Sequence, residues 1–165
     1  MKQQFIILRG NPCTGKSTIA EELRNHFNKK TAVIHTSVFY HGIVNGDSPE
    51  VAMENTRRIV DNYLKNKYNV ILEGTLSFKD KKGKLYLDNF VNLGKKYKAN
   101  TKIFFLEANI NELIKRENKR KKISINRLKY LYKITSENKK ENETVIDTTN
   151  KSIRLVLNQI LEEIK

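Results

Sequence analysis

The segment Gly10-Asn-Pro-Cys-Thr-Gly15-Lys16-Ser17 constrains this chain more than any other, because it follows an apolar run and opens a helical one. Gln4 to Arg9 has the pattern of a buried strand. From Lys16 onward Ile19, Ala20, Leu23 and Phe27 recur at helical spacing. A glycine at each end of such a loop permits backbone angles closed to other residues and lets successive N–H groups converge on phosphate oxygens. In that arrangement Lys16 reaches the β and γ phosphates, Ser17 offers a hydroxyl to Mg2+, and the positive end of the helix favours the anion. Gly10, Asn11, Pro12, Cys13, Thr14, Gly15, Lys16, Ser17 and Thr18 are therefore read as the phosphate-binding segment, with Asn11, Pro12 and Thr14 as spacers. Cys13 sits in an electropositive nest, which would lower its thiol pKa, although a regulatory thiol is the minor reading.

Further strands read at Ala32 to His35, Asn69 to Glu73, Lys102 to Glu107 and Val145 to Asp147, with helical segments between them. This alternation predicts an α/β fold: a five-stranded, doubly wound parallel sheet with helices on both faces. After an irregular stretch from Ser37 to Asp47, Ser48-Pro49-Glu50 reads as an N-cap, a proline at the first helical position and a first-turn acid. That helix is expected to reach about Lys67. Asn109 with Glu112 reads as a capping box before a very basic helix, and Ile153, Val156, Leu157, Ile160, Leu161 and Ile164 mark a C-terminal amphipathic helix.

At 165 residues the chain has the length of one domain, 1–165. Its single cysteine excludes an intramolecular disulfide and a Cys-rich zinc site. The apolar runs are far shorter than the roughly 20 residues needed to cross a bilayer. No export signal opens the chain either, so the cytoplasm is the expected compartment and no membrane the expected partner. Lys and Arg number 32 against 18 acids, a formal charge of +14 that attracts phosphate-rich partners, so nucleic acid is a candidate. Lys, Asn and Ile are abundant throughout, however, so much of this charge is read as compositional. Oligomeric state is not written in these patterns.

Glu73 closes the apolar run Val70-Ile-Leu-Glu73 and is followed by Gly74, the place where a carboxylate at the C-terminal edge of a parallel sheet can hold a Mg2+-bound water. Arg116 and Arg120, four apart on the basic helix, share one face and could reach one phosphate chain. A guanine-reading Asn-Lys-x-Asp is missing: Asn118, Asn138 and Asn150 each precede a lysine but no aspartate follows in register.

By these residues, together with Val145-Ile-Asp-Thr-Thr-Asn150, the chain resembles the small P-loop kinases of the nucleoside-monophosphate-kinase-like class, especially polynucleotide 5′-kinases, zeta-toxin-like kinases and antibiotic kinases. The resemblance implies ATP and Mg2+ as cofactors, a basic lid of about residues 112–128 between strands four and five, and a loop after Asp147, including Thr148, near adenine. Lys16, Arg116 and Glu73 would then be catalytic, Arg116 and Arg120 would also contact nucleotide, and Ser17 and Glu73 would serve the metal, Glu73 through water. The departure lies after strand two. The family usually has an aspartate there as base, and this chain has Ser37. Asp47, His35 and His41 are the substitutes in range, with Asp47 the nearest carboxylate. The expected function is transfer of the γ-phosphate of ATP to a hydroxyl of a small-molecule acceptor. The alternatives are a polynucleotide 5′-hydroxyl kinase, suggested by Lys79, Lys81, Lys82 and Lys84, and a non-catalytic nucleotide-binding protein.

Overall fold

The computed structural model describes residues 2–27, 30–43 and 48–164. Five strands, β1 (Gln4–Gly10), β2 (Thr31–His35), β3 (Asn69–Glu73), β4 (Asn100–Glu107) and β5 (Thr144–Asp147), form one sheet in the order β2-β3-β1-β4-β5. Every pairing is parallel. Among the described residues six α-helices connect or flank the strands: α1 (Lys16–Phe27), α2 (Pro49–Lys65), α3 (Tyr86–Lys96), α4 (Ile110–Arg120), α5 (Ile125–Glu137) and α6 (Ile153–Ile164).

The alternation of side chains along β1 sorts the core into two layers. Phe5 and Ile7 face α2 and α3, packing with Val60, Leu64, Leu87, Phe90 and Leu93. Ile6 and Leu8 face α1 and α6, packing with Ile19, Leu23, Val156 and Ile160. Because β1 is covered on both faces, its sequence reads as a continuous apolar run instead of an alternating one. A third, smaller cluster of Ala108, Leu113 and Leu128 joins α4 and α5 and reaches Cys13 in the glycine loop. Among the described residues no helix is long and apolar enough to cross a membrane.

Several boundaries differ from the sequence expectation. β4 begins at Asn100, because Asn100 donates its backbone N–H to Gln3 (2.8 Å) and its side chain to Gln4, so polar residues extend a strand that hydropathy starts at Lys102. α2 stops at Lys65, and Lys67 turns the chain with φ +64°. Pro49 does open α2, but Ser48 makes no side-chain cap bond. Asn109 caps α4 by accepting from Asn111 and Glu112, yet Glu112 does not reciprocate; its carboxylate binds Arg116 at 2.9 Å. The stretch after Ser37 begins with one wide helical turn, Val38–Gly42. Asp47 lies outside the described residues. The segment expected as a lid is a hairpin of two complete helices, α4 and α5, broken at Lys121 with φ +53°.

Candidate nucleotide site

The glycine loop leaves β1 by leaning against its neighbour strand. Gly10 has φ +126°, and a Cβ there would stand 2.1 Å from the Leu106 carbonyl oxygen, so only glycine fits. That same oxygen accepts the Asn11 N–H at 3.0 Å. Gly15 has φ +87° with Ile153 of α6 close behind it. Between the glycines Thr14 donates to the Asn11 carbonyl at 2.9 Å and Cys13 adopts a left-handed φ of +62°.

Lys16 is 8 % exposed and folds back over the loop, its Nζ 2.6 Å from the Asn11 carbonyl and 3.3 Å from that of Gly10. Burial lowers its pKa, which means that the ammonium lacks solvation and gains from an anion brought to it. Register brings the carboxylate opposite: Leu8 of β1 and His35 of β2 both align with Glu73 of β3. Ser17 donates to Glu73 Oε1 at 3.1 Å. His35 Nδ1 lies 3.2 Å from the same oxygen and its Nε2 3.1 Å from Glu21 of α1. Burial would raise the Glu73 pKa, but the His35 hydrogen bond and the charges of Lys16 and His35 outweigh it and hold the carboxyl below its usual value. Correspondingly, the Glu73 bond raises the His35 pKa against the opposing effect of burial.

The basic hairpin closes the other side. Arg116 donates to the Cys13 carbonyl (3.2 Å) and to both the hydroxyl (3.2 Å) and carbonyl (2.7 Å) of Thr148, so it spans the loop and the chain leaving β5. A cavity of about 500 Å³ opens here, lined by Cys13, Gly15, Arg116, Thr148, Asn150 and Ile153 among others. Arg120 turns instead to Glu117, at 2.9 and 2.7 Å. Cys13 donates its thiol to Glu117 at 3.0 Å. Burial first, and then that bond, push the thiol up to about 11, which corrects the sequence expectation of a lowered value. Pro12 and Thr18 complete the loop without further side-chain bonds among those described, and Ser37 is exposed.

Four participants had no sequence signal. Glu117 reads as one acid in a basic helix, and Glu21 as a solvated residue on α1. Thr135 of α5 is fully buried and donates to the Asn11 side chain, so Asn11 anchors the loop instead of merely spacing it. Glu143 pairs with Arg9 inside the core. The contacts of Glu117 with Cys13, Glu21 with His35, Thr135 with Asn11 and Glu143 with Arg9 join separate elements, where periodicity carries no information.

A family model described as "Chromatin associated protein KTI12" matches residues 4–164. The chain belongs to this family. Solved structures show how the KTI12-family chain is built. The tunicamycin resistance protein of Deinococcus radiodurans superposes with a TM-score of 0.70 at 14% identity, covering 99% of this chain and 96% of that one. Shikimate kinase of Aquifex aeolicus vf5 gives 0.65 at 15%, covering 98% and 96%. A chain of the Pnkp1/Rnl/Hen1 RNA repair complex gives 0.67 at 22%, covering 83% of this chain and 45% of that one. At such identities the likeness is one of fold: this KTI12-family member has the P-loop kinase fold, which supports a nucleotide-binding, kinase-type function.

Proposed function

We propose that this protein is an ATP- and Mg2+-dependent kinase that transfers the γ-phosphate to a hydroxyl of a small-molecule acceptor. The observation that carries the reading is the convergence of Lys16, Ser17 and Glu73 on one edge of the sheet, with Ser17 Oγ 3.1 Å from Glu73 Oε1. A hydroxyl and a carboxylate are hard oxygen donors, and this pair fits Mg2+, which keeps several waters and takes its remaining ligands from phosphate. When bound, the ion supplies neutralisation of charge on the transferring group.

The protein's own residues account for the rest. The N–H groups of the glycine loop and the α1 terminus cradle the phosphates. Lys16 exchanges the Asn11 and Gly10 carbonyls for phosphate oxygens, and Arg116, held at the loop by the Cys13 carbonyl and Thr148, completes the electrostatic clamp on the transferring group. Transfer through a loose transition state depends mainly on such positioning and charge, so a kinase can work with a weak base. The acceptor enters between the turn at Val38–Gly42 and α2, with Asp47 as the base candidate.

Lys16→Met should abolish ATP consumption across a panel of hydroxyl acceptors, and turnover unchanged by it would sink the mechanism. A polynucleotide 5′-hydroxyl kinase is the second reading, favoured by the four exposed lysines Lys79, Lys81, Lys82 and Lys84 around the turn after β3. It requires oligonucleotide binding that weakens steeply with salt. Tight nucleotide binding with no transfer to any acceptor would instead assign the protein to the non-catalytic class that Ser37 leaves open.

A further inference from the structure

The hairpin over the glycine loop carries a carboxylate where an anion-binding site has least use for one. Glu117, 1 % exposed, stands on the last turn of α4. Its Oε2 accepts the Cys13 thiol at 3.0 Å and Arg120 Nε at 2.9 Å, while Oε1 accepts the backbone N–H groups of Lys122 (2.5 Å) and Ile123 (2.7 Å). These bonds outweigh burial and keep the group ionised, with its pKa near 2. An ionised carboxylate bonded to the middle of the loop repels a polyphosphate and also occupies an arginine that the polyphosphate could use. Arg116 is different: besides Glu112 on its own helix, it is held by Thr148 and the Cys13 carbonyl.

We propose that Glu117 is a positioning residue for Arg120: it holds the guanidinium beside the glycine loop in the nucleotide-free protein and yields it to the polyphosphate on binding. The inference rests on the nucleotide reading of the loop and adds a competition inside it. A purely structural role is the alternative, because the bonds to Lys122 and Ile123 shape the turn in which Lys121 is left-handed. Glutamine separates the two, since it keeps an acceptor oxygen for those amides and removes the charge.

The test is a titration of wild type, Glu117→Gln, Arg120→Ala and the double variant with a fluorescent non-hydrolysable ATP analogue. Glu117→Gln should bind roughly five- to tenfold tighter, within the usual range of intramolecular coupling. Arg120→Ala should bind more weakly, and in its background the gain from Glu117→Gln should fall to less than half, as coupled neighbours require. A gain that persists undiminished without Arg120 would reduce the effect to general charge and overturn the exchange. Unchanged or weaker binding by folded Glu117→Gln would overturn it as well. If wild type binds no nucleotide, the underlying reading fails first and carries the inference with it. Independently of any variant, the Arg120 Nε–H resonance of the wild type should shift on adding the analogue; a resonance unmoved at saturation would also refute the exchange.

Discussion

The Arg9 guanidinium meets the Glu143 carboxylate at 2.5 Å with both side chains fully buried, tying the end of β1 to the turn before β5. Arg9 also donates to Ser77 (2.6 Å) and to the Asn138 carbonyl at the end of α5, and it lies over the Phe105 ring. Among the described residues Arg9 Nε and Glu143 Oε2 have no hydrogen-bond partner, so the pair is incompletely satisfied there. Such pairs are costly to break and cheap to replace. Arg9→Met should destabilise the fold by about 3–5 kcal/mol in urea unfolding, whereas Arg9→Met with Glu143→Leu should recover most of that loss.

At Gly10 the same end of β1 tolerates no side chain. A methyl group would press on the Leu106 carbonyl backbone at a φ that alanine avoids. Gly10→Ala should therefore cost more than about 2 kcal/mol, beyond an ordinary Gly-to-Ala change, and should weaken nucleotide binding along with it. Calorimetric melting with and without nucleotide checks both effects.

Glu117 gives stability a specific acid dependence. Its folded-state pKa of about 2 lies below its ordinary 4.5, so its contribution is fully present above about 4.5 and is lost as pH falls toward about 2. Glu117→Gln should lack this component. Melting curves of the two proteins between pH 5 and pH 2 should converge as the acid end is approached, and parallel curves would contradict the assignment.

Cys13 offers a clean chemical readout because it is the chain's single cysteine. With its thiol near 11, alkylation by iodoacetamide should be slow at neutral pH and should rise until about pH 11. A rate that levels off just above pH 9 would mean a thiol of ordinary pKa. Glu117→Gln should lower the apparent value by removing the neighbouring carboxylate.

Much of the architecture is legible in the sequence. The apolar runs at Phe5 to Leu8, Val70 to Leu72 and Ile103 to Leu106 are buried strands because parallel sheets covered on both faces require them. The positions of the glycine loop at the end of β1 and of Glu73 at the end of β3 were legible because each depends on neighbours in sequence: a strand end, a glycine and a helix start. Boundaries were less so, as at Asn100, where a polar residue is held in β4 by backbone bonds that hydropathy does not register.

By itself the sequence determined the five-stranded α/β fold and the place of the glycine loop between β1 and α1, since both follow from local spacing and backbone geometry. Tertiary structure alone decided the partners: Glu73 with Ser17 and His35, Asn11 with Thr135, Cys13 with Glu117. Most of these contacts join residues tens of positions apart. The sheet order sets them, together with the way the α4–α5 hairpin folds back over the loop, and hydrogen bonds between such distant groups leave no periodic trace in the chain.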